Sequence, residues 1–363
     1  ERERGITIKS NTMTLRYEAR DGETYMLNLI DTPGHVDFSH EVRRSLMACE
    51  GAVLIVDASQ GVEAQTVANM YLAMEHDLEL MTAINKIDLP AADVERVREE
   101  IDGDLGLDPF EAVPISAKNG IGIEDVLESI VSLLPCPAGD LDAPLQALIF
   151  DGYYDRYRGV ILLCRVQQGT LRRGDSIRFM HSNRDFKVEE LGYNQLTLSK
   201  QECLKAGEVG YVIAGIKTIR EIAIGDTITT TADPAESPLP GFKPAKPVVF
   251  SSIYPMTTDG YQDLSTALEK LSVNDAALVY EKDSSAALGF GFRCGFLGLL
   301  HLDVIQERLS REFDMDLVLS APSVLYHLTL SDGTEVKVDN PSYWPSPGDI
   351  KHIEEPYIRA SIL

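Results

Sequence analysis

Leu27-Asn28-Leu29-Ile30 is a short apolar-rich run that stops at Asp31, turns through Thr32-Pro33-Gly34 and reopens on His35. An aspartate closing a strand, with glycine three residues later, has a defined chemical use. The carboxylate can hold Mg²⁺, usually through water, and the glycine amide can reach a γ-phosphate because no side chain blocks it. A second apolar run, Leu80 to Ile84, ends in Asn85-Lys86-Ile87-Asp88. A guanine base presents N1–H and a 2-amino group side by side, and the Asp88 carboxylate can accept from both. Asn85 can bond the O6/N7 side of the base or brace the neighbouring loop, while the Lys86 stem can cover the base face. A third run, Val113-Pro114-Ile115, ends in Ser116-Ala117-Lys118, where the Ala117 amide can meet the guanine O6. Taken singly, each reads equally well as polar loop residues. Three in this order, each after an apolar strand, point to a guanine-nucleotide site at the ends of strands in one sheet, where open α/β sheets hold ligands.

The elements that must position these loops alternate. Thr12–Tyr17 and Tyr25–Ile30 flank Asp21-Gly22 and predict a β-hairpin. Ala52–Val56 reads as a strand and Glu63–Glu75 as a helix with Val67, Met70, Tyr71 and Met74 on one face. The Leu80–Ile84 strand, a helix over Ala92–Asp102, the strand before Ser116 and a helix over Ile123–Leu133 follow. Such alternation implies a mostly parallel sheet with right-handed crossovers. Leu134-Pro135-Cys136-Pro137-Ala138-Gly139 ends the pattern, and Pro144 to Thr231 reads as short strands with regular glycine turns, the mark of a small closed barrel.

A proline-rich linker, residues 233–247, leads to a strand–helix–strand–helix unit with Leu264, Leu268 and Leu271 facing inward, which suggests a ferredoxin-like split βαβ over 248–320. The glycine-rich stretch Ala287–His301 reads as a buried strand and turn, with His301 a core or capping histidine. Strands near Val324–Leu330 and Glu335–Val338 precede a last one at Ile358–Leu363.

The 363 residues carry 33 Lys and Arg against 57 Asp and Glu, a net charge of −24, which argues against the basic surface expected of an RNA-gripping protein. Local clusters at Arg43/Arg44, Arg156/Arg158 and Arg172/Arg173 are the exceptions. No apolar run reaches the roughly 18 residues of a membrane span, and no signal peptide is visible. Cys49, Cys136, Cys164, Cys203 and Cys294 are scattered without a Cys-x-x-Cys, which suggests neither zinc nor a redox pair and fits a reducing cytosol.

Arg4-Gly5-Ile6-Thr7-Ile8, Asp31-Thr32-Pro33-Gly34-His35, Asn85-Lys86-Ile87-Asp88 and Ser116-Ala117-Lys118 together resemble the translational GTPases. Glu50-Gly51-Ala52, Asp57 to Gln65, Asn274-Asp275-Ala276 and Ala287–His301 resemble the LepA family of ribosomal GTPases more than elongation factor G, and the resemblance runs along essentially the whole chain. It implies that Thr7 and Asp31 hold Mg²⁺ and that His35 positions the attacking water. It further implies that GTP is hydrolysed to GDP and phosphate during elongation, with ribosomal RNA and proteins as partners and tRNA as a further candidate. A cytoplasmic monomer follows, with peripheral association at the cytoplasmic membrane face left open.

The expected fold is α/β: a P-loop GTPase domain over 1–138, a β-barrel over 139–232, the linker, the ferredoxin-like domain, and the start of a further α+β domain over 321–363. The phosphate-binding Gly-x-x-x-x-Gly-Lys-[Ser/Thr] should precede Thr7. The chain contains no Gly-Lys dipeptide and opens on Glu1, so it is expected to be a truncated and inactive fragment, lacking the first strand, that loop, the first helix and the C-terminal domains. Rival readings are a non-hydrolysing ribosome-binding module and a relative of elongation factor G.

Overall fold

Asp21-Gly22 dictates the first regular element. Gly22 takes φ +88°, a conformation L side chains rarely adopt, and donates to Ala19 O at 2.9 Å, while Asp21 Oδ1 accepts the Glu23 amide. This turn joins β1 (Asn11–Glu18) to β2 (Thr24–Asp31) in an antiparallel pair whose register sets Leu15 opposite Leu27 and, at the open end, Asn11 opposite Asp31. The computed structural model describes residues 5–155, 157–216, 224–241, 246–275, 277–285, 287–321, 324–338 and 343–355, and it divides into two units, 1–242 and 243–363.

In the first unit α1 (Ser39–Leu46), β3 (Gly51–Asp57), α2 (Ala64–Met74), β4 (Glu79–Asn85), α3 (Val94–Glu100), β5 (Val113–Pro114) and α4 (Ile123–Leu133) follow in strict alternation after α1. β3, β4 and β5 form a parallel three-stranded sheet, whose Val56 and Ile84 share a core with Met70, Val97 and Ile101 from the helical side. Two expectations are corrected here. β2 pairs only with β1 among the described residues, so Asp31 closes a strand of the hairpin and not of the β3–β4–β5 sheet. Tyr71 and Met74 are 50% and 52% exposed, and α2 instead buries Met70, Leu72 and Ala73. The cause is that α2 packs on two cores at once. Met70 joins the sheet core, while Leu72 and Ala73 meet Val42 and Leu46 of α1, which rotates the buried arc away from Tyr71.

β6 (Gln146–Asp155), β7 (Gly159–Gln168), β8 (Thr170–Arg172), β9 (Ser176–Phe179), β10 (Arg184–Lys187), β11 (Glu190–Asn194), β12 (Leu198–Gln201), β13 (Cys203–Lys205), β14 (Val209–Ile213) and β15 (Thr227–Thr230) make up the β-rich part. Eight of them form one antiparallel sheet in the order β10-β9-β15-β6-β7-β14-β11-β12, and β8 pairs with β13 as a separate ribbon. Sheet and ribbon share one core of Ile149, Leu162, Cys164, Leu171, Ile177, Phe179, Leu191 and Leu204, so the barrel closes by packing around that core.

The second unit opens with β16 (Val249–Pro255), α5 (Tyr261–Asn274), β17 (Val279–Ser285), β18 (Gly289–Phe296), α6 (Leu299–Phe313) and β19 (Leu317–Leu319). The sheet order β17-β18-β16-β19 is that of a ferredoxin-like fold, with Leu264, Leu268 and Leu271 of α5 and Ile305 and Leu309 of α6 buried against Ile253, Phe292, Cys294 and Phe296. Gly291 in β18 is a close-approach glycine: a Cβ there would lie 2.5 Å from Ile253 O. The glycine-rich stretch is thus a strand buried from Gly291 to Phe296 but exposed at Leu288 and Phe290, followed by the turn into α6, and His301 is a buried cap. Its Nδ1 accepts the Leu297 amide at 3.0 Å, and Nε2 lies 2.9 Å from Asp275 Oδ2. β20 (Tyr326–Leu330), β21 (Glu335–Val338) and β22 (Ile350–Glu354) form a second antiparallel sheet in the order β21-β20-β22. The strand expected at Ile358–Leu363 lies outside the described residues. No helix among the described residues is long and apolar enough to cross a membrane.

Candidate nucleotide site

Parallel register builds one side of the candidate site. It sets Asp57 beside Asn85 and Ile84 beside Pro114, so the loops after β4 and β5 leave the sheet as neighbours. Asn85 Oδ1 accepts the amides of Lys86 at 2.7 Å and of Ala117 at 3.0 Å. Asn85 therefore braces the adjoining loop. The Ala117 N–H, expected to face guanine O6, donates to Asn85 Oδ1, so a bond to a base oxygen would divide that donor between two acceptors. Asp88 Oδ1 accepts from the buried Ser116 hydroxyl at 2.7 Å, and the same hydroxyl oxygen accepts the Asn119 amide at 3.3 Å. The Ser116 bond, aided by the positive charge of Lys118, holds the Asp88 carboxyl below the usual carboxylate range. It is thus an acceptor at neutral pH, which is what paired N–H donors need.

Ile87 takes a different part from the one its neighbours suggest. Its amide donates to Ile115 O at 3.2 Å and its side chain packs on the sheet core, so it anchors the loop and does not face a base. Lys86 adopts φ +67°, uncommon for a side chain with Cβ, and its Nζ lies 2.6 Å from Asp57 Oδ2. Asp57 Oδ1 accepts from the Ser59 amide at 2.8 Å and its hydroxyl at 2.6 Å. Burial pushes Asp57 upward, but the Lys86 and Ser59 bonds outweigh it and hold the carboxyl at about 2. Asp57 escaped the sequence reading as a site residue. Its only signal is the Asp-x-Ser spacing of an Asx turn, because the cross-strand register that brings it to Lys86 is a tertiary fact.

The hairpin builds the other side of the candidate site. Its register brings the segment before Asn11 alongside Asp31, and Thr7 Oγ1 donates to Asp31 Oδ2 at 3.4 Å. Both offer hard oxygens. Among the described residues no group of three or more His, Cys, Asp or Glu is placed to hold a metal. A pair of oxygens suits Mg²⁺, which keeps water and phosphate in most of its positions. A Cβ on Gly34 would meet no atom within 4 Å, so the space beside its Cα is open. His35 caps the short 3₁₀ turn Val36–Phe38: Nδ1 accepts the Asp37 amide at 3.1 Å and the ring stands edge-on to Phe38. In the neutral ring this leaves the proton on Nε2, a donor.

The basic clusters divide. Arg44 is buried beside His40 and Glu41, and Arg43 pairs with Glu75 at 2.8 Å, so that pair is no open phosphate contact. Arg158 pairs with Glu190, Arg172 and Arg173 are exposed, and Arg156 lies outside the described residues.

Comparison with known families adds what geometry alone does not. Residues 1–136 match the Elongation factor Tu GTP binding domain, 159–229 match Elongation factor Tu domain 2, and 244–321 match Elongation Factor G, domain III. That succession is similar to the one in elongation factors: a GTP-binding domain, a β-rich second domain and a domain III. The whole chain is 71% identical to Elongation factor 4 2 of Rhodopirellula baltica and 60% identical to Elongation factor 4 of Syntrophus aciditrophicus, covering 61% of each. It is 58% identical to Elongation factor 4 1 of Lactiplantibacillus plantarum, covering 59% of that protein. The chain is thus similar along its whole length to elongation factor 4 proteins, and it spans about three fifths of the length of these relatives.

Proposed function

We propose that the full-length gene product is a cytoplasmic, ribosome-associated translational GTPase that hydrolyses GTP to GDP and phosphate during elongation. The observation that carries this reading is the pair of bonds joining two loops, Asn85 to Ala117 and Asp88 to Ser116. They present one carboxylate, one lysine stem and a braced amide loop at the ends of parallel strands, the set a guanine base requires. Asp88 accepts from the base, Lys86 held by Asp57 covers its face, and Ser116, Ala117 and Lys118 form the wall beside it. Thr7 and Asp31 would hold Mg²⁺, which when bound would supply positive charge against the phosphates. The Gly34 amide faces the γ-phosphate. His35, donating through Nε2, orients the attacking water and does not abstract its proton. Residues 1–363 by themselves carry the base reader and these loops without a Gly-x-x-x-x-Gly-Lys sequence, and by themselves should bind GTP weakly. The likeness to elongation factor 4 proteins along the whole chain favours this reading over an elongation factor G relative.

The test is single-turnover GTP hydrolysis by the full-length gene product with and without ribosomes. Marked stimulation is expected. Hydrolysis indifferent to ribosomes would overturn the proposed partner.

A further inference from the structure

The barrel is tied to both halves of the magnesium-and-phosphate side. Lys9 stands two residues after Thr7, and its Nζ lies 3.3 Å from Asp151 Oδ1 on β6. Asp151 reaches that position because of a bulge. The β6–β7 register shifts between Ile149 and Asp151, so that Ile149 pairs with Cys164 on the core face while Asp151 pairs with Leu163 on the outer face. That outer face is apolar. Phe150, Ile161, Leu163, Val209, Tyr211 and Ile213 form a cluster with Ala48 and with Ile30, the residue directly before Asp31. At its margin Asn194 Nδ2 donates to Thr12 O at 2.7 Å, and Arg165 of β7 pairs with Glu50. One barrel face therefore backs Asp31 through Ile30 and holds the Thr7 segment through Lys9.

We infer that Asp151 is a positioning residue of the nucleotide site: by holding Lys9 it keeps Thr7 against Asp31, and through it the barrel senses whether that arrangement is in place. The inference rests on the reading of Thr7 and Asp31 as magnesium ligands. Its physical basis is linkage. A contact that favours the Thr7–Asp31 arrangement strengthens any ligand that needs that arrangement, and such a ligand in turn strengthens the contact. GTP, with a γ-phosphate, needs Thr7 in place. GDP does not.

The experiment measures equilibrium affinities for GTP and GDP, with Mg²⁺, in the full-length gene product and its Asp151→Asn, Lys9→Gln, Thr7→Ala and Lys9→Asp/Asp151→Lys variants. Amide hydrogen exchange of residues 5–12 is followed in the nucleotide-free proteins. A partly buried ion pair gives Asp151→Asn an expected loss of about fivefold for GTP, with GDP within twofold, and faster exchange over residues 5–12. The charge-swapped pair should regain most of the GTP preference. A merely structural role would weaken both nucleotides together and would not be rescued by the swap. An unchanged GTP-to-GDP ratio with unchanged exchange in Asp151→Asn would overturn the inference, as would absence of rescue. If Thr7→Ala leaves magnesium-dependent GTP affinity intact, the ligand assignment beneath the inference is what fails. If Thr7→Ala loses it and Asp151→Asn does not, the positioning role alone fails.

Discussion

Asp88→Asn in the full-length gene product should exchange guanine for xanthine preference, and the geometry sets the size of the effect. Asp88 Oδ1 accepts from Ser116 Oγ at 2.7 Å, a bond that an asparagine carbonyl can keep. The loop therefore stays braced, and the loss falls on the base. In place of Oδ2 the variant carries an amide nitrogen, which turns a hydrogen toward the guanine N1–H and 2-amino donors. Two hydrogen bonds to a charged acceptor are lost, each worth about 1.5–3 kcal/mol, or about 3–6 kcal/mol together. GTP affinity should fall by about 10²–10⁴. Xanthine has a carbonyl where guanine has its 2-amino group, so it accepts from the new amide, and xanthosine triphosphate should bind the variant better than GTP does. Fluorescent-nucleotide titration reads both numbers, and an unchanged circular dichroism spectrum shows that the fold survives. Equal GTP affinity in wild type and variant would refute the assignment of the base reader.

Three further outcomes follow from the same structure. His35→Ala removes only a cap from a short turn, so GTP affinity should stay near wild type while ribosome-stimulated single-turnover hydrolysis slows by at least tenfold; an unchanged rate would make His35 structural. Asp57 has a carboxyl depressed from 3.8 to about 2, so its pairing with Lys86 contributes stability above about pH 3.8 that is lost as pH falls toward 2; in Lys86→Met the midpoint seen by carboxyl NMR should rise, because burial then acts with its chief opponent gone. In the second unit Leu268→Ala should cost about 2–5 kcal/mol in denaturant unfolding of that unit, with nucleotide affinity unaffected.

Local signals were legible where chemistry is local. The Asp21-Gly22 turn, the α4 span Ile123–Leu133 and the three inward leucines of α5 follow from turn chemistry and helical period, and the structure has them at those residues. The Asn85, Asp88 and Ser116 loops were legible as a set because each follows an apolar strand. What failed depends on partners distant in sequence. The separation of β2 from the β3–β4–β5 sheet is a matter of pairing that a strand's own residues do not encode. The exposure of Tyr71 follows from α2 packing on two cores, which a single helical face cannot reveal. Asp57 meets Lys86 only through the register that sets it beside Asn85, and the bulge that turns Asp151 outward leaves no mark in the apolar pattern of β6.

The central claim is that Asn85, Asp88 and Ser116 build a guanine reader above a magnesium pair at Thr7 and Asp31. Competition titration tests it most directly. The full-length gene product is loaded with a fluorescent GTP analogue and challenged with GTP, GDP and ATP, with Mg²⁺ and after its chelation. GTP and GDP should displace the probe, ATP should fail to do so even at a hundredfold excess, and chelation should weaken GTP more than GDP. Displacement by ATP at the concentrations that suffice for GTP, or indifference of GTP binding to Mg²⁺, would contradict the account.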